Sequence, residues 1–253
     1  MQLIDSHAHL DDKRYNNDRA DVINDIISAG VTNVINIGAD MRSSRASVKL
    51  ADEYDFIYAT VGVHPHYADK MNEEKIAELK SLASHKKVLA IGEIGLDYYY
   101  DNSDRESQKY WFARQLQLAK ELNLPVVIHD RDAHQNCLEI LKDEGISNGV
   151  LHCYSGSAEM AKTVIDMGFY ISFGGVLTFK NARVAVEALN AVPIERLLIE
   201  TDCPYLSPEP YRGKRNSSEY MPIIAQKVAE IKGMNAHDVC NITAENTRRL
   251  FGF

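Results

Sequence analysis

Val88-Leu89-Ala90-Ile91-Gly92-Glu93 is an apolar run that stops on a carboxylate. A strand with one wet face alternates apolar and polar residues. A run that is apolar throughout is covered on both faces, as strands of a parallel sheet are. The same construction recurs along the chain. Pro125-Val126-Val127-Ile128 stops at His129, Gly149-Val150-Leu151 at His152, and Leu197-Leu198-Ile199-Glu200 at Thr201-Asp202. Upstream, Leu3-Ile4-Asp5 stops at Ser6-His7-Ala8-His9, residues 34–37 at Gly38, and residues 56–62 at His64-Pro65-His66. Residues 169–173, followed by Gly174-Gly175, complete a set of eight.

Helical patterns fill most of the intervals. Residues 17–29 carry Val22, Ile23, Ile26 and Ile27 at helical spacing, ahead of Gly30. A weaker pattern covers 43–54. Asn72 is placed to cap a helix whose first turn holds Glu73 and Glu74. Ser103 and Glu106 make a capping-box pattern for a helix running to about Leu122. Further helices are expected before Gly145, between Ser157 and Gly168, over 181–191, and near 220–232 and 236–250, the last two after a polar loop at 203–218. Alternating strands and helices imply a parallel sheet. Eight units close most simply into an α/β fold of the (β/α)8 TIM-barrel type, one domain spanning 1–253; a doubly wound open sheet is the alternative. The length suits one barrel of about 250 residues. Such a barrel gathers the residues that follow every strand onto one face.

The formal net charge of −8 argues against a broad basic face for gripping duplex DNA. The four cysteines form no CxxC pair, so a reducing, cytoplasmic setting is expected. No stretch approaches the roughly 20 apolar residues of a membrane span, and the N-terminus, without a basic n-region or h-region, is expected to enter the first strand directly. A monomer is the default expectation.

Of nine histidines, six fall at or just past a strand's C-terminal end. His85, His134 and His237 do not, and need no role. Residues i and i+2 of an extended segment point the same way, so His7 and His9 can share one ion. Glu93, His129, His152 and Asp202 add two carboxylates and two imidazoles from four other strands. Mixed nitrogen and oxygen donors suit Zn²⁺, Mn²⁺, Fe²⁺, Co²⁺ or Ni²⁺, whereas Mg²⁺ prefers oxygen. Asp5 is read either as a brace or as part of the site, and Glu200 as support behind the ligands. His64, and less directly His66, point to substrate contact or a further ion. Tyr98-Tyr99-Tyr100 is either a loop anchor or a surface on which bases stack. Arg212, Lys214 and Arg215 crowd the loop after strand eight, where contact with phosphate competes with simple solvation.

The segments 5–9 (Asp-Ser-His-Ala-His), 62–66 (Gly-Val-His-Pro-His), 92–97 (Gly-Glu-Ile-Gly-Leu-Asp), 129–133 (His-Asp-Arg-Asp-Ala), 152–156 (His-Cys-Tyr-Ser-Gly) and 200–206 (Glu-Thr-Asp-Cys-Pro-Tyr-Leu) resemble, in order, those of the TatD family of metal-dependent deoxyribonucleases. The resemblance extends to Asn246-Thr247-Arg248-Arg249-Leu250-Phe251. It departs from the family's usual pattern at Tyr154, where Phe is common, and at Ser217-Ser218, where Glu-Pro is usual. The resemblance implies a TIM barrel of the amidohydrolase superfamily with two divalent metal ions, drawn from Zn, Mn, Mg, Ni, Fe or Co. It places His7, His9, Glu93 and Asp202 on the first, and Glu93, His129 and His152 on the second. Phosphodiester hydrolysis on DNA is then expected, at a strand end given the acidic charge. Asp202 would be the general base, with His64, Arg131, Arg212 and Lys214 contacting substrate. Hydrolysis of an ester or amide, such as D-aminoacyl-tRNA deacylation, is the alternative, and a binding protein with an inherited site a third.

Overall fold

The computed structural model describes residues 2–253. Eight strands alternate with helices: β1 (Ile4–Ala8), α1 (Arg19–Ser28), β2 (Asn33–Asn36), α2 (Met41–Glu53), β3 (Ile57–Val61), α3 (Glu73–Ala83), β4 (Val88–Asp97), α4 (Arg105–Leu122), β5 (Val126–Arg131), α5 (His134–Asp143), β6 (Gly149–Leu151), α6 (Ala158–Asp166), β7 (Tyr170–Phe173), α7 (Arg183–Ala191) and β8 (Leu197–Ile199). Two further helices, α8 (Met221–Lys232) and α9 (Ala236–Phe251), end the chain. All neighbouring strands pair in parallel, in chain order from β1 to β8. The expected barrel is thus present, and the open-sheet alternative is not. Among the described residues no helix is long and apolar enough to cross a membrane.

The barrel closes just above β8. The Asp202 amide donates to the His7 carbonyl at 2.9 Å, the His9 amide donates to the Cys203 carbonyl at 2.8 Å, and Ala8 forms a parallel bridge with Cys203. The backbone that shuts the barrel therefore also carries three of the candidate ligands.

Period-two alternation separates two cores. Val34, Val126, Ile128, Leu151 and Ile199 face outward and pack with the helices. Ile35, Val127, Val150 and Leu198 belong to a second cluster that contains no residue of α1 to α8 and fills the barrel, with Leu250 and Phe251 of α9 packed against it. Two residues beyond Val127, Val150 and Leu198 stand His129, His152 and Glu200. The alternation that buries the valines aims these polar groups at the barrel mouth.

Several element boundaries differ from the expectation, β5 among them, which runs on to Arg131. β1 continues through His7 to Ala8, because its polar residues also find partners inside the barrel. β4 does not stop at Gly92 but runs to Asp97, buried throughout. Gly95 permits this: at φ 143° it lies where a Cβ would collide with the His129 carbonyl of β5. α4 is capped by Asp104 rather than Ser103; the Asp104 carboxylate accepts from the Glu106 and Ser107 amides.

Candidate metal centre

Two β-bulges aim the ligands. The β4–β5 register slips between Gly92 and Ile94, so Glu93 is the extra residue, and the β1–β2 register slips between Asp5 and Ala8, around His7. A bulge bends the strand and redirects a side chain, a common device beside active sites. Beyond β6 and β8 the backbone turns sharply: Cys153 and Asp202 are left-handed, at φ 43° and 54°. Each such residue costs on the order of 1 kcal/mol that its surroundings must offset.

Glu93 sits at the centre, 4% exposed. Its Oε2 lies 3.7 Å from His7 Nε2 and 3.8 Å from His9 Nε2. Its Oε1 lies 2.8 Å from His152 Nε2, 2.9 Å from His129 Nδ1 and 3.5 Å from His64 Nε2. Asp202 Oδ1 closes the first group, 3.5 Å from His9 Nε2 and 3.7 Å from His7 Nε2. One carboxylate thus faces two imidazole sets, one oxygen to each. Donors around a tetrahedral ion with bonds of about 2.0–2.1 Å lie roughly 3.3 Å apart. His7 Nε2 and His9 Nε2 are 3.2 Å apart, and His129 Nδ1 and His152 Nε2 3.3 Å. These donor groups therefore have the chemistry and spacing to hold divalent metal, with Glu93 within reach of both imidazole sets.

The surrounding groups fix the rings, as ligating histidines require. His9 Nδ1 meets the Ile37 carbonyl at 3.1 Å, which leaves Nε2 for an ion. Glu200 accepts from the Cys153 amide at 2.7 Å and stands 3.5 Å from His152 Nδ1, the supporting place expected of it. The His7 and His152 rings stack at 3.9 Å. Asp97 was not singled out in the sequence, yet its Oδ2 meets His129 Nε2 at 3.1 Å and His66 Nε2 at 2.8 Å, and its Oδ1 accepts from the Tyr99 and Tyr100 amides. The signal for it was available: Glu93, Gly95 and Asp97 alternate with Ile94 and Leu96, the pattern of a strand that goes on. Asp5 resolves as a brace, fully buried and bonded to Thr201, Ser218 and the His7 amide.

The other nominated residues divide. His64 is within the cluster, and His66 is at its edge through Asp97. Arg131 stands over the rings of Tyr99 and Tyr100, at 4.4 and 5.1 Å, on the ridge between two cavities that open on the cluster. Tyr98 turns inward to Asn136 while Tyr99 and Tyr100 remain exposed. Arg212 leans on Phe179 and Lys214 on Tyr211, and neither lines those cavities. Arg215 is held by Asp18.

Electrostatics set what ions must displace. Burial pulls His9 down, but its hydrogen bond with Asp202 and the charges of Glu93, Asp202 and Asp11 outweigh this and lift it to about 9. His129 is likewise raised, burial notwithstanding, by Asp97 and Glu93, and His152 is raised well above the ordinary range by Glu93 and Glu200. Burial holds His7 and His64 well below it, with their imidazole neighbours adding to the effect. Burial pushes Glu93 up, but the surrounding imidazoles hold it well below the carboxylate range. Ions bind only the deprotonated ring, so affinity is expected to rise with pH up to about 9, by about tenfold per pH unit for each proton displaced. Titration calorimetry at pH 7 in buffers of different ionisation enthalpy should show proton release; none would contradict the raised His9. In the metal-free protein, His9 contributes stability that is complete below its unfolded value of 6.5 and is lost as pH rises towards 9.

The family profile described as "TatD related DNase" matches residues 4–252. The chain is 46% identical over 251 residues to YabD of Bacillus subtilis, an uncharacterized metal-dependent hydrolase, covering 98% of each chain. It is 36% identical over 258 residues to the 3'-5' ssDNA/RNA exonuclease TatD of Pantoea ananatis, covering 99% of each. The crystal structure of YjjV, a TatD homolog from Escherichia coli, superposes with a TM-score of 0.94 at 29% identity, over 99% of this chain and 98% of that one. This chain belongs to the TatD family and is a metal-dependent hydrolase.

Proposed function

We propose that the protein hydrolyses phosphodiester bonds at the 3' end of single-stranded DNA, with two divalent ions held across Glu93. The observation that carries the reading is the division of Glu93 between two imidazole sets, with Asp202 closing one of them beside open space. The name of the Pantoea relative supports the substrate class. When bound, paired ions polarise a phosphoryl oxygen and lower the pKa of water.

The chain's own groups supply the rest. Asp202 lines both cavities and is the carboxylate placed to take a proton from the attacking water. Arg131, whose guanidinium carbon lies 4.4 and 5.1 Å from the ring centres of Tyr99 and Tyr100, offers its guanidinium fork to phosphate. His64 offers a second polar contact. Arg212 and Lys214 stand outside both cavities, so the reading gives them no contact with the reacting phosphate. On one side of the cluster, a cavity of about 460 Å³ is lined by Tyr99, Phe173, Val176, Ala185 and Leu206. Its size and apolar walls suit one terminal nucleoside, whose base would stack on Tyr99.

The test is degradation of single- and double-stranded oligonucleotides with Mg²⁺, Mn²⁺ or Zn²⁺. Stepwise loss of 3' nucleotides is expected. Asp202→Asn should lower kcat by about 10²–10⁴. No cleavage with any of these ions would sink the reading, and deacylation of an ester substrate in its place would assign the centre to carbonyl chemistry.

A further inference from the structure

A second groove leaves the metal centre on the side away from the apolar cavity. It is a cavity of about 360 Å³ lined by Asp40, Arg42, Arg45, Tyr67, Lys70 and Lys75 among others, and Asp40, Arg42 and Tyr67 also line the cleft that holds Glu93. The two spaces therefore adjoin across these residues. Four cations meet one carboxylate here, in a chain whose formal charge is −8. That carboxylate, Asp40, is occupied: it caps α2 and accepts from the Ser43 amide and hydroxyl. Arg45 is paired with Glu78 at 2.6 Å, and Lys75 donates to the Lys70 carbonyl. Arg42 and Lys70 are exposed and make no ion pair among the described residues. Tyr67 is 37% exposed at the junction, with Lys70 Nζ 5.4 Å from its ring centre.

We infer that this groove binds the strand upstream of the scissile phosphate, with Arg42 and Lys70 on successive phosphates and one base stacked on Tyr67. The inference rests on the proposed nuclease reading and adds to it the path and polarity of the strand. The terminal nucleoside occupies the apolar cavity, the scissile phosphate lies at the ions, and the remaining chain leaves over the cations. A cationic groove interleaved with an exposed aromatic ring is how proteins hold single strands without reading sequence. A duplex would need a broader basic surface.

The experiment uses a fluorescent single-stranded 20-mer and the Asp202→Asn protein, so that binding is read without turnover. Adding Arg42→Ala with Lys70→Ala should raise Kd about tenfold near 0.1 M salt, and should flatten the slope of log Kd against log salt by roughly 1.4, two phosphate contacts on a single strand. Tyr67→Ala should raise Kd about fivefold with the slope unchanged, since stacking releases no counterions. In the otherwise wild-type enzyme, Arg42→Ala with Lys70→Ala should raise KM for the 20-mer and leave its kcat, and the hydrolysis of a p-nitrophenyl thymidine phosphodiester, within about twofold. The charge-matched pair Lys162→Ala with Arg249→Ala, exposed on α6 and α9, should change neither Kd nor slope. An unchanged slope in the groove variant, or an equal change in the control, overturns the groove while wild-type cleavage preserves the nuclease reading. A wild-type protein that neither binds nor cleaves the 20-mer overturns both.

Discussion

Glu93→Gln is expected to lower kcat on any phosphodiester substrate by at least about 10³-fold and to leave the protein with fewer than two bound ions. Gln preserves the volume and removes the charge. Glu93 contacts His7, His9, His64, His129 and His152 within 3.8 Å, so neither imidazole set keeps its shared anion. On the proposed reading, two ions held so close would repel each other, and a carboxylate shared between their ligand sets would offset that repulsion. Losing one ion's stabilisation of the transition state costs several kcal/mol, and each 1.36 kcal/mol is tenfold in rate. The fold should survive, because the core strands Val126–Ile128 and Val150–Leu151 are built from apolar contacts independent of Glu93. Elemental analysis and far-ultraviolet circular dichroism on the same preparation separate the two effects. Two ions retained with full turnover would remove Glu93 from the centre of the argument.

The strand-end candidates were legible because they inherit their direction from their neighbours. Val127 and Val150 must face the barrel interior, and two residues later the chain has not yet turned, so His129 and His152 face inward as well. Alternation breaks at bulges, and there the reading was weaker. Gly92 looked like the end of β4, although the strand needs a further five residues to bring Glu93 and Asp97 into place. Asp97 was missed for that reason. Proximity in sequence does not by itself place a side chain in the cleft. Arg212 and Lys214 lie within a dozen residues of Asp202, but their loop carries them onto Phe179 and Tyr211. Arg42 and Lys70, which border the cleft system, come from the start of α2 and from the turn after β3, and nothing local marks them. The departure at Ser217-Ser218 gains a physical account: the Ser218 hydroxyl donates to Asp5 Oδ2 at 2.6 Å, so this loop is tied to the barrel by a side chain.

That tie predicts the second large effect, on stability. Asp5→Ala is expected to destabilise the protein by about 3–5 kcal/mol, because a buried charge network would lose its acceptor. In a chain of this length that lowers Tm by roughly 10 °C. Asp5 is fully buried and accepts from the Thr201 amide at 3.0 Å, the Thr201 hydroxyl at 2.5 Å, the Ser218 hydroxyl at 2.6 Å and the His7 amide at 3.2 Å. Alanine leaves all four donors without it in a dry site. Asp5→Asn keeps an acceptor and should cost about 1–2 kcal/mol. Burial pushes the Asp5 carboxyl up to about 6, against the pull of these same donors. A folded value above the unfolded 3.8 means that ionisation opposes folding, so the wild type loses stability as pH rises from about 4 to 6. Neither variant has that proton to lose. Their deficits relative to wild type should therefore be largest near pH 4 and shrink towards pH 6, a slope that loss of packing alone does not produce. Thermal unfolding at three pH values across this window decides it; a deficit independent of pH would mean that Asp5 is held by shape and not as a buried acid. Turnover should fall in the alanine variant as well, even well below its Tm, because Asp5 holds the Thr201 hydroxyl, which accepts from the Cys203 amide across the left-handed Asp202.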